Sequence, residues 1–232
     1  MKIVLDQKKV NRYYKIGMYT SLGSLVLLIA AVALTIIFAT RPEMALYSFI
    51  AMLLGLILSQ VGVFFSNRWG KSPRVDERIS QGLKGLDDRY VLYHYVTAVP
   101  HLLAGPAGIW VLVPEYQGGQ ITYENSKFRQ KGVGFFSKVI GQEGLGRPEM
   151  EAKSYREDMV RYLRKALPDG NIPEVQTLVV FTNPKASVQV QDAPVPTMHV
   201  EKLKDFIRRM AKEKPANMET VQIIEKMLPE AE

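Results

Sequence analysis

The chain has 232 residues, 47% of them hydrophobic, which is ample for one or two domains with buried cores. It has no Cys and 3 His, which excludes a disulfide framework and a thiolate metal site and argues against structural zinc. The formal net charge is +7, and the whole excess lies within residues 1–15 and 68–74. Residues 75–232 carry equal numbers of basic and acidic side chains, so charge does not support nucleic-acid binding, which needs a local basic field.

Two uncharged apolar segments, residues 17–39 and 44–66, predict a transmembrane helical hairpin. At ~1.5 Å per residue each helix is roughly 34 Å long, enough for a hydrocarbon core of ~30 Å. A cleaved signal peptide is disfavoured, because the first run is too long and a second follows directly. A buried hairpin of a soluble protein is the other alternative, but neither run shows the polar stripe that a core helix normally has.

Basic residues flank the hairpin on both sides, and only Arg41 lies between the two apolar runs. The positive-inside rule therefore predicts an integral membrane protein with both termini in the cytoplasm. The expected membrane is a prokaryotic plasma membrane. The basic flanks are expected to contact the bilayer and its anionic lipid headgroups. In the second apolar run, small residues recur every four positions at Ala51, Gly55 and Ser59. This spacing allows close helix packing, either within the hairpin or between copies in a homo-oligomer.

The rest of the chain predicts an α/β domain with a mixed sheet. Early strands that adjoin in sequence are expected to pair antiparallel, and a later strand that arrives through a helix is expected to be parallel. The predicted strands are residues 90–99, 101–104, 109–113, 120–123, 175–181 and 198–200, and the helices are residues 73–85, 149–167, 200–212 and 218–228. The expected organisation is a basic cytoplasmic tail (1–15), the hairpin (16–67), a basic connector (68–74), the α/β domain (75–212) and a C-terminal helix (213–232).

Several motifs of the α/β domain occur in a fixed order. They are the opening helix VDERISQGLKGL with Glu77, the strand YVLYHYV, His101, the turn Gly105-Pro106-Ala107-Gly108, the strand IWVLV and Gly119. In this order residues 75–210 resemble the nuclease-related domain (NERD) family, which has a PD-(D/E)xK nuclease-like fold. The resemblance implies a metal-dependent nuclease site, in which two carboxylates hold Mg²⁺ and a lysine positions the attacking water.

The residues that this resemblance assigns to the nuclease site are replaced. Pro100, Val113 and Glu115 stand where the family has Asp, Glu and Lys. A shift of two residues would align Glu115 with the Glu position, but Gln117 would then replace the Lys. Of the acidic set only Glu77 remains, and one carboxylate does not hold Mg²⁺ in the usual geometry. No cofactor or metal is therefore expected.

Glu77, His101 and Glu115 are the only candidates for a rearranged site. The alternative for Glu77 is a charge at a helix N-terminus, for His101 a satisfied histidine at a strand end, and for Glu115 a solvent-facing turn residue. The favoured hypothesis is a catalytically inactive NERD-like domain that acts as a binding or scaffold module with a protein partner at the cytoplasmic face. One alternative is a metal-dependent nuclease with relocated ligands, which would need Mg²⁺. Another is an accessory unit for transport or sensing, in which the hairpin is the functional part.

Overall fold

The computed structural model divides the chain into two compact units. It describes residues 1–41, 43, 45–70, 72–132, 134, 144–167 and 172–228. The helical unit comprises Gln7–Arg74, and the α/β unit comprises Met1–Asp6 together with Val75–Glu232. Lys71 of the predicted connector and the last four residues of the predicted C-terminal segment lie outside the described residues.

The helical unit is a hairpin of two long helices. Helix α1 spans Gln7–Ile37, and helix α2 spans Ala45–Phe65 and continues into a π-helical turn at Ser66–Gly70. Most of their large apolar side chains face outward from the unit. Both helices are long and apolar enough to cross a membrane. Helix α1 begins well before the apolar run, so its first turns carry the basic residues that were predicted as part of a tail.

Small residues spaced seven apart form the contact between α1 and α2. The buried small residues are Gly17, Ser24 and Ala31 on α1, in register with the buried Val10, and Ser48, Gly55 and Gly62 on α2. A seven-residue repeat keeps one stripe of each helix against its partner as the two wind around each other. Of the three small residues spaced four apart on α2, Gly55 packs against Leu28 of α1, as expected for packing within the hairpin, whereas Ala51 and Ser59 are only half-buried. Gly55 thus packs within the hairpin.

The α/β unit contains nine strands and four helices in its described residues, apart from a short 3₁₀ turn. The strands are β1 (Lys2–Leu5), β2 (Val91–His94), β3 (His101–Gly105), β4 (Gly108–Glu115), β5 (Gly119–Glu124), β6 (Lys127–Lys131), β7 (Val175–Phe181), β8 (Ala186–Gln189) and β9 (Thr197–His199). The helices are α3 (Val75–Gly82), α4 (Pro148–Ala166), α5 (Leu203–Glu213) and α6 (Met218–Met227).

The main sheet has six strands in the order β1-β2-β3-β4-β7-β9. Strand β3 is antiparallel to both of its neighbours, and the other pairs are parallel. The mixed α/β class, the antiparallel early strands and the parallel later strand are therefore confirmed. Strands β6, β5 and β8 form a second, three-stranded sheet. The sequence predicted β5 but not this separate sheet.

Strand β4 is covered on both faces, as its unbroken apolar run predicts. Ile109, Val111 and Val113 pack in one cluster with residues of α4 and α6, while Trp110 and Leu112 pack in another with residues of α3 and α5. Gly108 has φ +98°, a backbone conformation that favours glycine, in the tight turn between β3 and β4. This packing makes β4 the centre of the domain.

Two predictions about the ends of the sheet are wrong. Residues 1–15 do not form a tail, because Lys2–Leu5 pair parallel with β2 as an edge strand and bury Val4. The predicted strand at 90–99 ends at His94, since Tyr95 has φ +64° and the chain turns there. The pairing of β1 has a topological consequence: the helical hairpin is inserted in the chain between two parts of one folded unit.

Candidate functional site

The buried polar side chains of the α/β unit collect at one edge of the main sheet. Strands β1, β2, β4, β7 and β9 end at this edge and β3 begins there, because β3 alone runs in the opposite direction. Among the described residues of this unit, the buried polar or charged side chains are Asp76, His94, His101, Glu115, Gln117, Thr182 and Asn183. We call these residues, with Ser80 of α3, the polar edge. The carboxyl ends of parallel strands are where α/β sheets commonly bind ligands.

The first part of the polar edge is a chain of hydrogen bonds between α3 and the sheet. His94 and His101 are opposite each other on β2 and β3, and each is 1% exposed. Their Nδ1 atoms are 2.7 Å apart, and the Nε2 atom of His94 is 2.9 Å from the Ser80 hydroxyl. Because two ring nitrogens at this distance share one proton, one imidazole donates and the other accepts. Ser80, His94 and His101 therefore form one connected network.

Burial keeps His101 uncharged. Loss of hydration lowers the pKa of His101 well below its ordinary value of 6.5, and the adjacent His94 lowers it further. A charge on this ring would face an apolar interior and a second imidazole. The His101 ring therefore enters its hydrogen bond with His94 as a neutral imidazole at neutral pH.

Acidification will destabilise the α/β unit through His101. The unfolded chain binds a proton at His101 near pH 6.5, whereas the folded chain resists it. The contribution of His101 to the free energy of unfolding therefore does not change with pH above about pH 7.5. It falls by about 1 kcal/mol between pH 6.5 and 5.5. Urea unfolding can be followed by Trp110 fluorescence in a Trp69→Phe background. In His101→Gln the free energy of unfolding should differ less between pH 6.5 and pH 5.5 than in the wild type. Equal slopes in the two proteins would contradict the assignment.

The second part of the polar edge joins the ends of β4 and β7. The Thr182 backbone N–H donates to the Glu115 carbonyl at 2.8 Å, and the Asn183 side chain donates to the Tyr116 carbonyl at 2.9 Å. The Arg78 guanidinium of α3 donates to the Thr182 carbonyl at 3.1 Å and lies 5.5 Å from the Tyr116 ring centroid. These contacts fix α3 and two strand ends to one another. Tyr116, 41% exposed, is the large side chain of this group that faces outward.

The three candidates from the sequence all lie at or beside this edge. Glu77 is in the first turn of α3, His101 begins β3, and Glu115 ends β4. Glu115 is 8% exposed and belongs to the sheet, so the interpretation as a solvent-facing turn residue is wrong. The sequence missed Ser80, His94 and Asn183. His94 was visible only as a polar residue in an apolar strand, and nothing in the sequence marks Ser80 or Asn183.

The positions that the resemblance assigns to metal ligands do not fit Mg²⁺. Val113 is 0% exposed and packs in the core beneath α4. The antiparallel register of β3 and β4, continued by two residues, places Pro100 opposite Val113. Magnesium needs oxygen ligands, and these two side chains are hydrocarbon. Among the described residues, no group of three or more His, Asp or Glu side chains is placed to hold a metal ion.

Comparison with known proteins adds no relative. No family model matches the chain, and neither a curated protein nor a solved structure matches it. The NERD resemblance therefore rests on the sequence motifs alone and stays a prediction.

Proposed function

We propose that this protein is a membrane-anchored binding or scaffold module that presents the polar edge of its α/β unit to a protein partner. One observation carries the proposal: the buried polar side chains of the described unit gather at one edge, around the outward-facing Tyr116. Buried polar groups are costly unless they are hydrogen-bonded, and the carboxyl ends of parallel strands are where α/β sheets commonly bind ligands. Aromatic side chains beside an arginine, as Tyr116 is beside Arg78, are typical of interface centres.

The helical hairpin is the proposed anchor. Its two helices are long and apolar enough to span a bilayer, and their outward side chains are hydrophobic. Strand β1 belongs to the same unit as the residues that follow the hairpin, which supports a placement with both ends of the hairpin on one side of the membrane. The basic flanks favour the cytoplasmic side of a prokaryotic plasma membrane, where they meet anionic headgroups.

Trp69 and its neighbours support this placement. The Trp69 ring lies 4.7 Å from Tyr13 and 5.4 Å from Phe65, and the Arg68 guanidinium lies 3.9 Å from the Phe64 ring centroid. Aromatic residues and arginines are enriched at the boundary between hydrocarbon and water. This aromatic group therefore suits the cytoplasmic interface of the membrane.

A photo-crosslinking experiment tests the binding role. The photoreactive residue p-benzoylphenylalanine replaces Tyr116 in the full chain in its native membrane, and in a matched control it replaces Ile223 of α6. The two side chains are similarly exposed, at 41% and 46%. We expect a discrete adduct at position 116 that is absent at position 223, and whose yield falls when Arg78→Ala removes the guanidinium that lies near the ring. No adduct at 116, or the same adducts at both positions, would overturn the proposal.

The nuclease alternative is tested on the same preparation. The full chain in lipid nanodiscs is incubated with Mg²⁺ or Mn²⁺ and single- or double-stranded DNA or RNA. We expect no cleavage above that of empty nanodiscs. Metal-dependent cleavage that is abolished by Glu77→Ala would contradict the binding role and support a nuclease with relocated ligands.

A further inference from the structure

The hydrogen-bonded network at the polar edge has the connectivity of a nucleophile, a base and an orienting group. The Ser80 hydroxyl is 2.9 Å from Nε2 of His94, and the other ring nitrogen of His94 is 2.7 Å from Nδ1 of His101. Serine hydrolases use this relation: one imidazole nitrogen takes the serine proton while a third group fixes the ring through the other nitrogen. Such triads are recognised by geometry and not by sequence position, so no sequence motif indicated this one.

The tautomer that suits catalysis is available to these rings. If His94 carries its proton on Nδ1 and donates it to Nδ1 of His101, its Nε2 lone pair accepts the Ser80 O–H. His101 can accept only while it is neutral, and its burial favours the neutral ring. The same neutrality makes it a weaker partner than a carboxylate for an imidazolium at His94, so the chemistry should be slow.

The surroundings hold the two imidazole rings in place and leave Ser80 partly exposed. Tyr95 stacks edge-to-face on His101, with the ring centroids 4.9 Å apart, and its backbone N–H donates to the Pro100 carbonyl at 2.8 Å. Tyr95 also has φ +64°, a costly conformation for a bulky residue, and such strain occurs often at functional sites. Both histidines are buried, whereas Ser80 is half-buried, so Ser80 is the residue of the network with the most exposed surface.

We propose that Ser80 is a nucleophile that accepts an acyl group from a small uncharged ester, with His94 as its general base and His101 as a positioning residue. The Ser80 oxygen bonds to the carbonyl carbon while its proton moves to Nε2 of His94. The C–O bond to the alcohol then breaks, and the departing oxygen takes the proton from His94. Water attacks the Ser80 ester in the same way, which releases the carboxylic acid and restores the hydroxyl.

The test uses the full chain in lipid nanodiscs and an alkyl fluorophosphonate, which transfers its phosphonyl group to activated serines with loss of fluoride. Peptide mass mapping of the wild-type protein alone locates the adduct, so the result does not depend on the folding of any variant. We expect the adduct on Ser80. Ser80→Ala should abolish it, whereas Ser187→Ala, on an exposed strand position outside the network, should leave it unchanged.

Two further variants separate catalysis from structure. His94→Gln should slow labelling about 100-fold or more, because general-base catalysis contributes at least that factor. His101→Gln should lower the labelling rate at saturating probe without changing the half-saturating probe concentration, which a general loss of structure would not do. Trp110 fluorescence in the Trp69→Phe background checks that each variant is folded.

Either of two results overturns the inference. One is the absence of an adduct at Ser80, and the other is labelling of Ser80 no faster than that of Ser187. In both cases the network serves only to satisfy buried polar groups. The photo-crosslinking outcome at Tyr116 is independent of this result, because the acyl-transfer activity goes beyond the proposed binding role.

Discussion

Replacing Val113 by glutamate will unfold the α/β unit instead of creating a metal site. Val113 is 0% exposed and pairs with Val179 on β7 within the six-stranded sheet. A carboxylate placed there has no partner, and the cost of an unpaired buried charge is several kcal/mol. This is comparable with the whole stability of a typical domain, about 5–15 kcal/mol. Urea unfolding of the full chain in detergent, read by Trp110 fluorescence in the Trp69→Phe background, measures the loss.

The matched control for Val113→Glu is Ser187→Glu, which adds the same charge at an exposed position of β8. We expect the control to change the free energy of unfolding by no more than about 0.5 kcal/mol. Mg²⁺ should not restore the stability of Val113→Glu. A folded variant that Mg²⁺ stabilises would show that an open, ligand-lined cleft exists beside β4, and would revive the nuclease hypothesis.

The second large effect is expected at Gly62 of the helical unit. An added Cβ at Gly62 would clash with the Ser21 hydroxyl and lie 3.0 Å from the Ser21 backbone nitrogen. Backbone atoms cannot rotate away, so Gly62→Ala must separate the helices. Overpacking of this kind costs about 1–3 kcal/mol. Titration with a denaturing detergent, followed by Trp69 fluorescence in a Trp110→Phe background, reports the opening of the hairpin.

Gly23→Ala is the control for this helix contact. Its Cβ would meet only the end of the Leu58 side chain, at 3.2 Å, and a flexible side chain can move. Because alanine also favours the helix by up to about 1 kcal/mol in a water-exposed setting, Gly23→Ala should be neutral or stabilising. If Gly62→Ala proves equally harmless, the close packing of the two helices through a seven-residue repeat is not the basis of hairpin stability.

Much of the fold was predictable because short local sequence patterns indicate its helices and strands. The two uncharged apolar runs predicted the long helices, and the run IWVLV predicted a central strand covered on both faces. Strand β7 was predicted with its observed ends, Val175–Phe181. Glycine and proline marked the β3–β4 turn. In each case the signal lies within a few residues, where propensity and hydrophobic periodicity act.

The errors concern contacts between residues far apart in the sequence. Residues 2–5 looked like part of a polar tail, and they become β1 only because the edge of β2 offers hydrogen bonds to them. The sequence analysis singled out Ala51, Gly55 and Ser59 but not Ser48 and Gly62, because the facing residues of α1 decide which small residues of α2 are buried. Glu115 looked exposed until β7 and Thr182 were placed beside it.

The sequence by itself determined the two apolar helices, the balanced charge of the α/β domain and the hydrocarbon side chains at Pro100 and Val113. These properties depend only on which side chains are present and on their local spacing. The tertiary structure alone decided that His94, His101 and Ser80 form one hydrogen-bonded network and that this network lies at the edge where most strands end. Strand direction and helix placement bring these side chains together, and both depend on packing across the whole domain.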